Sequence, residues 1–362
     1  MSKKTVSLLL CLVAVLSCVS CQSREEPKNM AVVNSVLYDL VEDGRYRVTA
    51  EIMNPTAAGG TQDNTSSGKS PSITVSGEGP SIREAISDLT VSIERSFFGG
   101  HNKTRFFTER LAKADMCAVL DFLLRDHLAD ETPTMIVIRG QTPEDIHFST
   151  IGLADLVGDY FESMGKNQPQ HMAESVFVST LDFVKDYYEE GKEPVAGVAM
   201  IEVCGDKPSG NVSTDSQSGP GETSIILYEG LAAFKGSRLV GYMDGDEARA
   251  YNLLIKNIDT AIISIPTDQN PFVLEIGSSK ADISTSIKGE QAKIDVRIQI
   301  VMRVVTAADM LDVRKAGPLN TLERRFNEQM EKEITAAIHK AQRQLHSDIF
   351  GFGSHFHKEH PR

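Results

Sequence analysis

The sequence predicts a mixed α+β protein of three domains, the last of which is a mixed β-sheet packed by a long helix. Strand-like and helix-like segments alternate through the first half of the chain. A strand-rich stretch, 260–305, precedes one long amphipathic helix near the C-terminus. Two polar stretches, 54–72 and 205–222, interrupt the pattern. The length of 362 residues fits two or three domains.

The polar stretches set the predicted boundaries. Because neither buries enough apolar surface to offset its ordering entropy, 54–72 is predicted to be a long loop and 205–222 a flexible linker. The predicted division is a signal peptide at 1–20, an N-terminal α/β domain at 21–204, the linker at 205–222, a middle domain at 223–270 and a C-terminal sheet-plus-helix domain at 271–362.

The first residues predict export. Lys3 and Lys4 precede an almost wholly apolar stretch, Val6 to Val19, which matches a secretory signal and is shorter than the roughly 20 residues that span a bilayer. The pattern favours a cleaved signal over a buried helix or an uncleaved anchor. Bacterial lipoproteins are cleaved before a cysteine that follows a small residue. By the local residues alone, both Cys18 and Cys21 qualify as the lipidated cysteine.

The N-terminal domain is predicted to interleave strands and helices. Met30–Leu40 and Arg45–Met53 are strand-like and are joined by a hairpin signal, Glu42-Asp43-Gly44. Ser81 and Glu84 fit a capping box, and the apolar residues that follow recur at helical spacing. The other predicted strands are Ile73–Val75, Thr104–Phe107 and Met135–Arg139, and the other helices are Leu111–Arg125, Pro143–Met164 and Thr180–Glu190.

Beyond the linker, the sequence predicts a hairpin, a short helix, a sheet and a long helix. Ser224–Lys235 and Ser237–Tyr242 form the hairpin, and Asp244 caps a helix that ends near Ile255. One later strand alternates apolar residues with Lys293, Asp295, Arg297 and Gln299, which predicts one solvated face. A helix from Pro318 carries a continuous apolar stripe, expected to pack on this sheet: Leu319, Leu322, Phe326, Met330, Ile334, Ile338, Ala341 and Leu345.

The composition and charge exclude one class of partner. The chain is 41% hydrophobic and 24% charged, as in ordinary globular proteins. Its net charge is −13, and it has no run rich in Lys or Arg. Because proteins that bind the phosphate backbone concentrate basic residues on one face, nucleic acid is excluded as the main partner.

No catalytic or cofactor-binding residue is predicted. The run from Ser76 to Ile82 begins like a dinucleotide fingerprint, but Ile82 replaces the third glycine and Pro80 lacks an N–H, so a turn and helix cap are favoured. The run from Ser163 to Lys166 fits the S-x-x-K of acyl-enzyme hydrolases, but no K-T-G follows. The sequence therefore predicts a protein without enzymatic activity.

No metal ligand is predicted either. Asp244, Asp246 and Glu247 gather three carboxylates, but the next two residues do not fit a calcium loop, so helix N-terminal acids are favoured. Three C-terminal histidines lack the usual companions of a zinc ligand set: His355, His357 and His360.

The two cysteines of the body are predicted to be structural. Cys117 falls on the apolar face of a predicted helix, where a thiol behaves as a small hydrophobe. A bridge to Cys204 is the less favoured alternative, since one candidate pair is not a disulfide framework.

Six strings, in order, resemble the Ger(x)C family, the lipoprotein C subunits of nutrient germinant receptors in endospore-forming bacteria. The C-terminal string from Gln342 to Gly353 resembles the closing signature of that family. The others are similar to its opening, first hairpin, first helix, second helix and C-terminal opening: Arg24 to Val33, Tyr46 to Pro55, Val75 to Ala85, Val119 to Asp126 and Glu229 to Asp244.

The resemblance implies a non-catalytic receptor subunit with a three-domain α/β fold and without a cofactor. It places the lipid on Cys21, with Cys18 as the second choice. It implies a location on the outer face of the spore inner membrane, beside an A subunit with membrane and soluble parts and a transporter-like B subunit. The nutrient and its binding residues remain unassigned. The segment from Phe350 to Gly353 is either an exposed contact or a cap on the core.

The alternatives belong to other classes. A surface solute-binding lipoprotein that serves a transporter would bind a small molecule on its own. A lipid-anchored hydrolase would need a catalytic site that the sequence does not display.

Overall fold

A computed structural model describes most of the body of the chain. The described residues are 26, 29–55, 70–126, 129–140, 156–167, 173–204, 223–256, 258, 260–266, 271–289, 291–306 and 316–361. The predicted signal peptide, both candidate lipidation cysteines, the 205–222 segment and most of 54–72 lie outside them.

Nine of the described strands form one mixed sheet. They are β1 (Met30–Leu40), β2 (Tyr46–Met53), β3 (Ser72–Gly79), β4 (Ser96–Phe98), β5 (Thr104–Thr108), β6 (Thr134–Ile138), β7 (Val195–Cys204), β8 (Thr223–Lys235) and β9 (Arg238–Met243). The order is β3-β2-β1-β5-β6-β7-β8-β9, and β4 pairs with the start of β1. The four central strands are parallel, and antiparallel strands lie on both sides of them.

Helices cover both faces of this sheet. They are α1 (Ile82–Val91), α2 (Glu109–Ala114), α3 (Cys117–Arg125), α4 (Val157–Asn167), α5 (Thr180–Tyr188) and α6 (Gly245–Ile255). Because successive strand residues point to opposite faces, Val36 and Phe107 enter the core beneath α1 to α3, whereas Leu37 and Phe106 pack against α4. The central sheet is therefore buried on both sides, as parallel sheets require.

The C-terminal part is a second sheet packed by a long helix. Its strands β10 (Ala261–Ile265), β11 (Phe272–Lys288) and β12 (Gln291–Thr306) form a meander that is antiparallel rather than mixed. The helix α7 (Ala316–His339) continues into a π-helical turn, Lys340–Leu345, and α8 (Phe352–Glu359) ends the fold. The middle of the predicted stripe is confirmed, since Leu322, Phe326 and Met330 are buried against this sheet. At the two ends of the stripe, Leu319 is exposed and Ala341 is buried in the core of the large sheet.

The predicted mixed α+β class and the solvated face of β12 are both confirmed. The charged and polar residues named for that strand are all exposed, and the apolar residues between them are half-buried. The alternation of apolar and polar side chains therefore identified the buried face correctly.

The strands on either side of 205–222 differ from the predicted interdomain arrangement. β7 and β8 pair antiparallel in one sheet, with Val195 opposite Ala233 and Cys204 opposite Thr223. The segment therefore connects two neighbouring strands of a single sheet. This differs from the expectation that the strands on its two sides belong to separate domains. The three-domain division itself stays a prediction.

The predicted helix Leu111–Arg125 is two helices, α2 and α3. Asp115 interrupts it in an extended conformation, and its carboxylate accepts hydrogen bonds from the Cys117 N–H at 2.8 Å and the Ser237 hydroxyl at 2.6 Å. The break rotates α3, which exposes Cys117 instead of burying it, and this thiol is free. The side chain of Cys204 is outside the described set.

The C-terminal signature closes against the large sheet's core. Phe350 and Phe352 stack at 5.5 Å between ring centroids and are buried, so this segment caps the core and is not an exposed contact. The Asp348 carboxylate accepts hydrogen bonds from the N–H groups of Phe352 and Gly353 at the start of α8. A Cβ on Gly191 would lie 2.5 Å from the Gly353 carbonyl carbon.

The contact between α8 and Glu189 predicts that the stability of the fold depends on pH. Hydrogen bonds from Lys358 and Ser354 hold the pKa of Glu189 at about 2, against an ordinary value of 4.5. A depressed carboxyl pKa adds stability above pH 4.5, and that stability is lost as the pH falls toward 2. Because Lys358 is 66% exposed, we expect Glu189→Gln to cost no more than about 1 kcal/mol at pH 7.

Urea denaturation between pH 7 and 3 measures this effect. The difference between Glu189→Gln and the unmodified chain should shrink as the pH falls. Glu94→Gln is the matched control, since the side chain of Glu94 is 87% exposed. A Glu189→Gln deficit that does not change with pH would contradict the assignment.

Candidate ligand site

The two stretches that looked like fragments of enzyme motifs are ordinary structure. Ser76 to Gly79 are strand residues of β3, and the Ser81 hydroxyl oxygen caps α1 by accepting from the Glu84 N–H at 3.3 Å. The Glu84 carboxylate accepts from the Ser81 hydroxyl at 2.6 Å, rather than from its backbone as a full capping box requires. Ser163 and Lys166 lie within α4.

The acidic cluster acts at the N-terminus of α6, as predicted. Asp244 and Glu247 form a capping box, and Glu247 also accepts from Lys340 of the π-helical turn at 2.5 Å. Asp246 contacts Arg249, which also binds Glu174 at 2.7 Å and Glu333 at 3.0 Å. The cluster thus joins α6 to α7 and borders an open groove of about 890 Å³ between them.

His355 and His357 lie in α8, and His360 follows its last residue. His360 packs against Phe356 at 4.8 Å between ring centroids. In the described part of the chain, no group of three or more His, Cys, Asp or Glu side chains could hold a metal ion.

A further candidate site is a partly enclosed cavity of about 250 Å³ that the sequence did not reveal. It lies between the sheet, α1 and the C-terminal end of α3. A cavity of this size admits a small metabolite. Its lining is Val36 and Tyr38 of β1, Arg83, Ile86, Ser87 and Thr90 of α1, Phe97, Gly99 and Asn102 at and after β4, Arg105 of β5, and Phe122, Leu123, Asp126 and Ala129 at and after α3.

Arg105 occupies a core position of the sheet. It lies in one row with Val36 and Met135 on the neighbouring parallel strands, and it is only 2% exposed. Its guanidinium donates to the Thr180 hydroxyl and to the Asp130 carbonyl, both at 2.6 Å. The burial of a cation at this position is unusual, because charged groups are seldom fully buried unless paired.

The electrostatics of the cavity follow from that burial. Burial lowers the pKa of Arg105, and the nearby Tyr38 hydroxyl and the Asp130 and Asp126 carboxylates oppose this shift. Burial also raises the pKa of Tyr38, although Arg105 acts in the other direction. Tyr38 is held by stacking on Phe107, with ring centroids 5.6 Å apart. The site therefore presents a fixed cation beside a neutral phenol.

One signal in the sequence could have indicated this site. Arg105 interrupts the apolar strand Thr104–Thr108, and it falls on the face that should carry apolar residues. A charge at such a position calls for an explanation in the fold. Its companions could not be found in this way, because they lie on separate elements between Val36 and Ala129.

Comparisons with known proteins place the chain in a family. The family model described as spore germination protein N-terminal domain matches residues 23–200. A second model, described as spore germination B3/GerAC like, C-terminal, matches residues 229–362. The chain belongs to the GerAC-like family of spore germination proteins. Both models together account for nearly all of the described fold.

Individual GerAC-like relatives have low sequence identity to this chain but match it over nearly its whole length. The chain is 23% identical over 367 residues to spore germination protein KC of Bacillus subtilis, which covers 100% of this chain and 89% of that relative. It is 21% identical over 361 residues to spore germination protein B3 of the same organism, covering 96% and 87% of the two chains. The crystal structure of the GerBC protein matches with a TM-score of 0.48 and 16% identity over 90% of this chain and 88% of that one.

Within the described part of the chain, no helix combines the length and the apolarity needed to cross a bilayer.

Proposed function

We propose that this protein is the lipid-anchored C subunit of a spore nutrient germinant receptor, and that it is required for the response to nutrients without performing catalysis. The observation that carries the proposal is the match of both germination-family domains, in order, over 23–200 and 229–362. The resemblance of the N-terminal strings to exported lipoproteins of this kind supports the anchor.

The proposed anchor is a lipid on Cys21. The family match begins at residue 23, two positions after this cysteine and five after Cys18, which supports Cys21 over Cys18. The first strand begins at Met30. Since an extended chain rises at most about 3.6 Å per residue, such an anchor would hold β1 within about 30 Å of the membrane. Stable attachment requires two or more acyl chains.

The proposed location is the outer face of the spore inner membrane. There the subunit would assemble with the A and B membrane subunits of the receptor. The full chain has a net charge of −13, and removal of 1–20 takes away Lys3 and Lys4 and leaves −15. Such an acidic body has no attraction to an anionic leaflet, so in this proposal the lipid provides the attachment.

The test uses spores that lack this chain and are complemented with the unmodified chain, Cys21→Ala or Cys18→Ala. We expect the deletion to abolish dipicolinic acid release in response to particular nutrients, while a non-nutrient trigger still works. Cys21→Ala should move most of the chain out of the membrane fraction and weaken the same response, because no lipid can be attached. Cys18→Ala is the matched control and should behave as the unmodified chain.

Each part of the proposal has its own contrary outcome. Full membrane retention of Cys21→Ala, with loss of Cys18→Ala from the membrane, would assign the lipid to Cys18. A normal response of the deletion spores to every nutrient would contradict a required receptor role.

A solute-binding lipoprotein is the second candidate, and the enclosed cavity beside Arg105 favours it. In that case the purified chain would bind a small molecule, and the deletion spores would germinate normally. The combination of binding and germination measurements therefore separates the two functions.

A further inference from the structure

Arg105 is a buried cation without a carboxylate partner. Among the described residues, its closest hydrogen bonds go to the Thr180 hydroxyl and the Asp130 carbonyl, the Tyr38 hydroxyl is a further hydrogen-bonding neighbour, and no ion pair within 4.0 Å includes it. The Asp126 and Asp130 carboxylates are nearby but do not contact the guanidinium, so an anion brought into direct contact with it would offset the desolvation of the buried charge. The electrostatics around Arg105 therefore favour the binding of an anion.

The unused hydrogen-bonding capacity of Arg105 points to the same conclusion. Its Nε–H is buried and has no hydrogen-bond partner among the described residues. Buried donors are normally satisfied, and an unpaired one commonly marks a ligand or water position. Because Arg105 lines the cavity, this donor and the cavity occur together at one place.

The remaining walls restrict the kind of anion. Five large apolar side chains line the cavity, and hydroxyl or amide groups are fewer. Such a mixture favours an organic molecule with an apolar body over a bare inorganic ion. The five apolar side chains are Val36, Ile86, Phe97, Phe122 and Leu123.

We propose that this cavity binds a small organic carboxylate, whose carboxylate group meets the Arg105 guanidinium and whose apolar part packs against α1 and α3. A guanidinium is well suited to this group, since its planar fork matches the two carboxylate oxygens.

A route into the cavity lies between α1 and α3. Arg83, Phe122 and Asp126 line both the cavity and a neighbouring surface groove of about 600 Å³. Arg83 is exposed and attracts an anion to the entrance. Asp126 is also at this boundary, where it would contact the ammonium group if the ligand is an amino acid rather than a plain carboxylate.

Calorimetric titration of the full-length chain in detergent tests the proposal with three probes that share an isobutyl group: 4-methylpentanoate, L-leucine and 3-methylbutylamine. We expect at least one of the two carboxylates to bind and the amine not to bind. Binding of L-leucine alone would identify an amino-acid site, and binding of both would identify carboxylates in general.

Two variants and one control locate the binding. Arg105→Lys should weaken binding about tenfold, because a lysine keeps the charge and loses the fork. Ser87→Phe should abolish binding, because the larger side chain fills the cavity from the surface of α1 while Arg105 is unchanged. Val91→Phe is the matched control, since Val91 is 84% exposed on the same helix and should not affect binding.

Several results would overturn the proposal. The first is failure of both carboxylates to bind at about 10 mM, which is about ten times the upper end of usual substrate KM values. The others are equal binding of the amine, equal binding of inorganic phosphate titrated as a fourth probe, or unchanged binding by Ser87→Phe. The significance for germination rests on the proposed receptor role, but these measurements do not. Failure of binding refutes the site, whereas normal germination of deletion spores refutes the receptor role.

Discussion

Gly77→Ala is expected to destabilise the protein by at least about 3 kcal/mol and to reduce its soluble yield sharply. A Cβ at this position would lie 2.2 Å from the backbone N of Leu89 and 2.3 Å from the backbone O of Ala85. Both atoms belong to the backbone of α1, so no side-chain rotation can relieve the overlap. The helix would have to move away from β3, which would open the core and disturb one wall of the cavity.

Urea denaturation and soluble expression measure this effect. Gly277→Ala is the matched control, because it also adds one methyl group to a strand, and its nearest neighbour, the Val301 carbonyl, is 3.7 Å away. We expect the control to stay within about 1 kcal/mol of the unmodified chain. A Gly77→Ala variant as stable as the control would show that α1 does not approach β3 this closely.

Arg249→Met is expected to destabilise the protein by about 3–5 kcal/mol at pH 7. The Arg249 side chain is only 6% exposed and contacts three carboxylates, those of Glu174, Asp246 and Glu333. Its removal leaves two partly buried acids, Glu174 and Glu333, without their shared cation, and the Glu229 and Asp246 carboxylates add repulsion at Glu174. The contact between α6 and α7 should therefore loosen.

The loss should depend on pH in a definite direction. Burial already raises the pKa of Glu174, and Arg249 opposes that rise. Without the arginine, the folded-state pKa rises further above its unfolded value. Protonation then relieves the repulsion, so the destabilisation by Arg249→Met should be smaller near pH 5 than near pH 8.

Denaturation of Arg249→Met and Arg125→Met at several pH values tests this interpretation. Arg125 is the matched control, since its side chain is 79% exposed and pairs only with Asp121 on the same helix. Its loss should cost no more than about 1 kcal/mol. Adding Glu333→Gln to Arg249→Met should recover part of the stability. No recovery, with no dependence on pH, would refute the electrostatic account.

Local patterns predicted the elements well. The cap at Ser81, the capping box at Asp244 and the middle of the apolar stripe of α7 are confirmed, because each depends on residues three or four positions apart. The family resemblance likewise depends on short strings in order, and both domain models bear it out. The residues lining the groove beside α6 were visible only in part, as the acids of its N-terminus.

The errors arose where a distant partner decides the outcome. The helix expected over Leu111–Arg125 is interrupted because Asp115 binds Ser237, which is 122 residues away in the chain. β7 and β8 join one sheet across the polar segment that suggested a boundary between domains. Helical periodicity and composition carry no information about either contact.

The sequence alone therefore determined the element types, the helix caps, the family and the expectation of a lipid-anchored, non-enzymatic protein. Only the tertiary structure decided that one sheet runs through both halves and that Arg105 faces a cavity. The physical reason is how far apart in the chain the contacting residues lie. Caps and amphipathic faces are set by near neighbours, whereas strand order and cavity walls are set by contacts between residues far apart in the chain.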